Sequence, residues 1–236
     1  MAGRQPRDSR GRWTKYIGRK PKIGKLVVAD EGRVPGGKPP ASSKEFIMAA
    51  AVTDRWDEFE TIADAFDKNT QKGIASSPNE LKYKTSDDDT RIEVLEEIAK
   101  LKPSIHAIIV HKDDLPPDWE GLGGYDIYRK TTANIIEDVM RDTDGDLTFY
   151  FDQHTALDEK PEIPFPDNRF LVRAVEEKTD PARHNVREVS QKNSVEEKTL
   201  QTNDFIVGSI KSRHVFGDRS PYDRIEDLVQ IREIRR

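Results

Sequence analysis

Acidic residues at the ends of apolar segments are the feature that most constrains how this chain can fold. Asp30 follows the apolar run LVVA, Asp152 follows LTFYF, and Asp204 interrupts the apolar pattern of LQTNDFIVGSI. Glu80, in the segment NELK, belongs to the same set. A carboxylate beside buried apolar residues loses hydration, so it needs a cation or a basic partner. We therefore expect the fold to gather these four residues around a shared positive charge.

The carboxylates of these four residues indicate which metal ions could bind and which reaction the site could catalyse. Carboxylate oxygens are hard ligands that favour Mg²⁺ or Mn²⁺. The reaction that most often uses such a cluster is phosphoryl transfer, in which two ions about 3.5–4 Å apart hold the attacking and leaving oxygens in line. The set Asp30, Glu80, Asp152 and Asp204 therefore predicts a two-metal nuclease, or a related phosphoryl-transfer enzyme, with a metal-bound water as nucleophile.

The composition excludes several other classes of site. The 236 residues contain no Cys, which rules out disulfides, thiolate zinc sites and a Cys nucleophile. No apolar run approaches the roughly 20 residues that cross a bilayer, and the N-terminus lacks the apolar centre of a signal peptide. The sequence therefore favours a soluble cytoplasmic protein with no membrane partner.

The net charge of −5 hides a strongly basic N-terminus. Residues 1–25 carry nine Lys or Arg and one acid, a local charge of +8 that leaves −13 for the rest of the chain. Arg10, Arg12 and Lys15 surround Trp13, and this mixture suits phosphates and bases through counterion release and stacking. We interpret residues 1–24 as a disordered basic arm for RNA or DNA. A solvated tail without a partner is the open alternative.

Apolar segments of strand length alternate with amphipathic helical patterns from Lys25 onward. Strands are predicted at 26–29, 45–53, 104–111 and 147–153, with weaker ones starting at Phe170 and Val186. Helices are predicted at 55–69, 87–102, 125–140 and 196–215, with a short final helix marked by Ile225, Leu228 and Ile234. This alternation predicts an α/β sheet in one domain, residues 25–236, whose first two strands form a hairpin. Asp30 and Asp152 fall at strand carboxyl ends, where such sheets bind ligands.

Four short motifs follow one another in order along residues 25–226. They are Asp30-Glu31-Gly32 at a strand end, Glu80-Leu81-Lys82 before a helix, Phe151-Asp152-Gln153 closing a later strand, and a helix running from Gln201 through Asp204 to Gly208. Together they resemble the domain-of-unknown-function 3800 family, although the Ser that follows Asp-Glu in that family is missing here. The resemblance implies a ribonuclease H-like mixed sheet with flanking helices and a nuclease superfamily fold. It implies no particular substrate.

Each acidic residue also has a simpler interpretation. Asp30 can be a turn-forming residue before Gly32, and Glu80 can be half of an exposed ion pair with Lys82. Neighbouring side chains on a strand point to opposite faces, so we expect Asp30 but not Glu31 in the cluster. The alternation in β-strand 147–153 places Asp152 opposite the apolar face.

Basic residues and one glycine accompany the acids. Lys82 and Lys211 are candidate phosphate contacts, and His154 is a candidate phosphate contact or proton shuttle. His154 has the alternative of a hydrogen-bonded structural residue. Gly208 destabilises a helix by about 1 kcal/mol relative to Ala, which indicates a close approach by another part of the molecule or by substrate.

Two further functions remain open from the sequence. The same fold can be a non-catalytic nucleic-acid-binding protein whose carboxylates hold a structural ion. It can also be a protein-interaction module that docks through its C-terminal helix. The acidity of the chain beyond the arm favours these two over a nuclease, because a nuclease must offset repulsion from phosphate.

Overall fold

A six-stranded mixed β-sheet organises the part of the chain that the computed structural model describes, which is residues 24–31, 44–70, 80–152 and 168–236. The strand order is β5-β4-β1-β2-β3-β6. β2 runs antiparallel to β1 and β3, whereas the pairs β1/β4, β4/β5 and β3/β6 are parallel. The strands are β1 Lys25–Glu31, β2 Glu45–Thr53, β3 Ser104–His111, β4 Gly145–Asp152, β5 His184–Lys192 and β6 Val229–Ile234. The predicted α/β class and the predicted hairpin of the first two strands are confirmed.

Within the residues that the structure describes, five α-helices cover the two faces of this sheet. They are α1 Trp56–Thr70, α2 Asp88–Leu101, α3 Gly124–Asp142, α4 Asn168–Lys178 and α5 Lys198–Phe216. Helices α1, α2 and α5 pack with one face, around a core that contains Leu26, Val28 and Phe205. Helices α3 and α4 pack with the other face, around Val27 and Phe149. Successive residues of the central strands β1, β2 and β3 alternate between these cores, so these strands are buried on both sides, whereas the edge strands β5 and β6 carry polar and charged residues.

The acidic run Asp87, Asp88 and Asp89 serves as the start of α2. The Asp87 side chain accepts a hydrogen bond from the backbone N–H of Thr90 at 2.8 Å, so Asp87 is the N-cap. The helix ends at Lys102, which has a left-handed conformation with φ 51° before Pro103. These acids are explained by helix capping and not by a metal.

Two of the predicted elements are wrong. The segment beginning at Phe170 lies in helix α4, because Leu171, Ala174 and Val175 recur at helical spacing and are buried together. The expected C-terminal helix is instead two short 3-10 turns followed by β6, which pairs with the edge of β3. The predicted docking surface on a C-terminal helix is therefore wrong. Within the described residues, no helix is both long and apolar enough to span a membrane.

Candidate metal centre at the sheet edge

Asp30 and Asp152 lie at the same edge of the sheet. They end the neighbouring parallel strands β1 and β4, whose register pairs Ala29 with Phe151, the residue before each acid. Leu26 and Val28 contribute to the core beneath α5, and alternation along β1 directs Asp30 to that same face. Asp152 follows Phe151, which packs on the opposite face, so it also points toward α5.

Helix α5 carries Asp204 to this edge. The neighbouring Asn203 is fully buried, and its side-chain amide donates to the backbone oxygen of Ala49 at 3.3 Å. Ala49 is the cross-strand partner of Asp30. The Thr202 hydroxyl donates to the backbone oxygen of Phe59 in α1 at 2.8 Å, which fixes the same turn on its other side. These bonds hold Asp204 above the end of β1.

Asp30 lies within electrostatic range of other acidic residues at this edge. Burial raises the pKa of Asp30 well above its usual value, and negative charge on Glu31, Asp152 and Asp204 raises it further. The backbone N–H of Glu31 donates to Asp30 Oδ1 at 2.7 Å and opposes this effect. Burial likewise raises the pKa of Asp204, with Glu80 among the charges that add to it. Asp30 thus lies within electrostatic range of Asp152 and Asp204, and Asp204 lies within electrostatic range of Glu80.

Residues 80–83 are attached to α5 by hydrogen bonds from the backbone. The Leu81 N–H donates to Gln201 Oε1 at 3.1 Å, and the Tyr83 N–H donates to Asp204 Oδ2 at 2.8 Å. The side chain of Gln201 in turn donates to the backbone oxygen of Ser194 at 2.6 Å. Gln201 and Asp204, three residues apart on α5, thus each accept one backbone hydrogen bond from residues 80–83.

Glu80 is held by two further side chains. Its Oε1 accepts from the Ser194 hydroxyl at 2.5 Å and lies 3.1 Å from Lys82 Nζ. The ion pair predicted as the simpler role of Glu80 is therefore present, and it stands beside Asp204 and not on a remote loop. Lys211, about two turns beyond Asp204 on α5, lies close enough to lower the pKa of Asp204.

Gly208 lets Tyr83 approach α5 closely. A Cβ at this position would lie 2.3 Å from Tyr83 Cγ, far inside van der Waals contact. The Tyr83 ring also packs edge-on against Phe205, and its hydroxyl lies 2.7 Å from Ser212 Oγ. The close approach expected at Gly208 is thus to an aromatic ring.

Glu31 joins the electrostatics of the site, which the sequence interpretation did not expect. Burial raises the pKa of Glu31 well above its usual value, and the charge of Asp152 adds to this. On the α3 side, burial raises the pKa of the Tyr128 phenol, and Glu31 is the largest charge that adds to it. Alternation still separates Asp30 and Glu31 onto opposite faces. At a strand end, both faces remain within electrostatic range of Asp152.

The oxygen atoms of the four acidic side chains are ligands of the kind that a hard divalent cation binds. Asp30, Glu80, Asp152 and Asp204 offer carboxylate oxygens, the ligands that Mg²⁺ and Mn²⁺ prefer. Burial and the charges of Glu31, Asp152 and Asp204 raise the pKa of Asp30, and a cation beside these carboxylates would offset that repulsion. Within the described ranges, no group of three or more acidic or His side chains is already arranged to hold a metal ion.

The remaining predicted contacts cannot be placed. His154 and the arm residues Arg10, Arg12, Trp13 and Lys15 lie outside the described residues. Gly24, the last residue assigned to the arm, is described, and its backbone oxygen accepts a hydrogen bond from the indole N–H of Trp56 at 2.9 Å. Gly24 is therefore attached to the domain through α1.

The raised pKa of Asp30 predicts a pH-dependent stability in protein without bound metal. The folded state binds this proton more tightly than the unfolded state, so stability falls as pH rises above about 4 through the raised native pKa. Asp30→Asn removes the effect. Its melting temperature should match that of wild type near pH 4 and exceed it increasingly toward pH 8, measured by circular dichroism in EDTA.

The matched control for this experiment is Asp118→Asn. The hydrogen bond from Lys130 lowers the pKa of exposed Asp118, so its charge stabilises the fold above the ordinary carboxyl range. That variant should lose stability toward neutral pH, the opposite sign. A difference between Asp30→Asn and wild type that stays constant with pH would contradict the assignment.

No protein-family model matches the chain, and no curated protein shows significant similarity to it.

Proposed function

We propose that this protein is a metal-dependent nuclease, or a related phosphoryl-transfer enzyme, that acts on nucleic acid through Mg²⁺ or Mn²⁺. The observation that carries the proposal is that two strand ends and helix α5 place Asp30, Asp152 and Asp204 at one sheet edge, with Asp30 within electrostatic range of the other two and Glu80 in range of Asp204. Charge of this density in a partly buried position is costly to a protein that makes no use of it.

The sheet topology supports a ribonuclease H-like fold. Strands β3-β2-β1-β4-β5 lie side by side in this order, and β2 runs against its neighbours β1 and β3. The first acid ends the central strand β1 and the next ends β4, as in the motif order that resembles the domain-of-unknown-function 3800 family. Membership of that family is part of the proposal.

The chain's own groups have distinct roles in this mechanism. Asp30, Glu80, Asp152 and Asp204 would hold the ions, which would supply an activated water and neutralise charge on the phosphate. The N–H of Tyr83 fixes one oxygen of Asp204, and Ser194 fixes one oxygen of Glu80, so both carboxylates are oriented before substrate arrives. Lys82 and Lys211, whose charges lower the pKa of Asp204, would contact the phosphate.

The direct test is cleavage of labelled nucleic acids. Purified protein is incubated with single-stranded, duplex and hybrid RNA and DNA substrates in Mg²⁺, in Mn²⁺ and in EDTA. We expect cleavage of at least one substrate with either ion and none in EDTA. Inactivity on every substrate, together with no Mn²⁺ binding by calorimetry, would overturn the proposal.

A non-catalytic nucleic-acid-binding protein is the second candidate. The charge of −13 beyond residue 25 favours it, because that surface repels phosphate and leaves binding to the basic arm. Tight nucleic-acid binding and Mn²⁺ binding without cleavage would identify this function.

Both candidates make a prediction about the arm. Deleting residues 1–23, which spares the Gly24 carbonyl that Trp56 uses, should leave the melting temperature nearly unchanged. Nucleic-acid affinity should fall, and its dependence on salt should become shallower, because fewer counterions are released on binding. Fluorescence anisotropy over a salt series measures both. Equal affinity at low salt for the full and shortened chains would show that the arm takes no part.

A further inference from the structure

Lys82 has an unusual position among the acids of the site. Its Nζ lies 3.1 Å from Glu80 Oε1, and Asp204 and Asp152 attract the same ammonium. Burial lowers the pKa of Lys82, but the hydrogen bond to Glu80 and the charges of these acids outweigh burial and leave the pKa raised. The amino group thus forms an ion pair with Glu80 and lies within electrostatic range of Asp204 and Asp152.

Hydrogen bonds anchor the backbone on both sides of Lys82, whereas its side chain is half-exposed. The flanking N–H groups of Leu81 and Tyr83 are bonded to α5 side chains, and Leu81 and Tyr83 are buried. The Lys82 side chain is 48 % exposed, whereas that of Glu80 is 7 % exposed. An anchored residue with a long, half-exposed side chain can move its charge by several ångströms without disturbing the fold.

We propose that Lys82 is a built-in counter-cation, which balances the carboxylates when no metal is bound and turns to a nucleic-acid phosphate when a divalent cation takes its place. This rests on the proposed function. A divalent ion and an ammonium group beside the same carboxylates repel each other, so the ion must displace the ammonium. The displaced charge then lies at the rim of the site, where the phosphate backbone arrives.

A simpler role for Lys82 is a permanent partner of Glu80 alone. In that case the ammonium would not compete with a metal ion at Asp30, Asp152 and Asp204. Removing the Lys82 charge should strengthen metal binding if the ammonium competes with the ion, and should not strengthen it if Lys82 is only a partner of Glu80. Metal affinity therefore distinguishes the two roles.

The test compares Lys82→Met with Lys84→Met, which removes an exposed lysine two residues away. Mn²⁺ binding is measured by calorimetry at pH 8 and constant ionic strength, and nucleic-acid binding by anisotropy at saturating Mn²⁺. We expect Lys82→Met to bind Mn²⁺ roughly tenfold more tightly than wild type and nucleic acid several-fold more weakly. Lys84→Met should match wild type in Mn²⁺ affinity.

Thermal unfolding gives a second readout that does not need catalysis. In EDTA, Lys82→Met should melt below wild type, because the carboxylates lose their counter-charge, and saturating Mn²⁺ should abolish the difference. Equal or weaker Mn²⁺ binding by Lys82→Met, with wild type binding normally, would overturn this inference and leave the proposed function standing. Absence of Mn²⁺ binding by every variant would overturn the proposed function itself.

Discussion

Replacing Asp152 with Asn should reduce metal-dependent cleavage by orders of magnitude while leaving the fold as stable as before or more stable. The amide keeps the shape of the side chain but removes a negative charge that a divalent cation needs. In EDTA the loss of that charge also relieves Asp30 and Glu31, whose pKa values it raises. Cleavage rates with Mg²⁺ and Mn²⁺ and melting temperatures in EDTA measure the two effects.

Asp146→Asn is the control on the same strand. Asp146 lies at the opposite end of β4, where its carboxylate pairs with Arg187 at 3.0 Å, far along the strand from Asp152. That variant should retain wild-type cleavage. Equal metal-dependent cleavage by Asp152→Asn and wild type would show that Asp152 is not a metal ligand.

Replacing Gly208 with Ala should destabilise the fold by about 1–3 kcal/mol, although Ala favours helices. The added methyl group would lie 2.3 Å from Cγ and 2.8 Å from Cβ of Tyr83, close to where that side chain joins its backbone. Tyr83 cannot easily turn away, because its N–H is bonded to Asp204 and its hydroxyl to Ser212. Residues 80–83 must therefore shift, and metal affinity should fall along with the melting temperature.

Gly123→Ala separates this effect from a general cost of replacing glycine. The nearest atom to a Cβ at Gly123 is 4.0 Å away, and its φ of −71° suits any residue. Its stability should change by no more than about 0.5 kcal/mol. Wild-type stability in Gly208→Ala would contradict the close packing of Tyr83 on α5.

The sequence predicts those elements whose apolar pattern is sufficient by itself. The strands at 45–53 and 104–111 have the expected bounds, because each is a continuous apolar run between polar residues. The segment at Phe170 failed because a short apolar run fits a strand as well as a buried helix. The C-terminal strand failed because its pairing with β3, more than a hundred residues earlier, decides its conformation.

The candidate site divides in the same way. The placement of Asp30 and Asp152 follows from strand ends and alternation, which are local properties. The bonds from Leu81 and Tyr83 to α5 span 120 and 121 residues, and no local pattern indicates which N–H groups Gln201 and Asp204 accept from. The sequence did not predict that Glu31 takes part in the site. Alternation along a strand gives the direction in which a side chain points, whereas the electrostatic interaction depends on the distance between the charges.

The order of synthesis gives the placement of Asp204 a further consequence. The strand that carries Asp30 is synthesised before α5, which packs on β1, β2 and α1. A ribosome-bound chain that has not yet released α5 lacks both Asp204 and part of the cover over one face of its sheet. Asp204 can therefore reach the end of β1 only after α5 has left the ribosome.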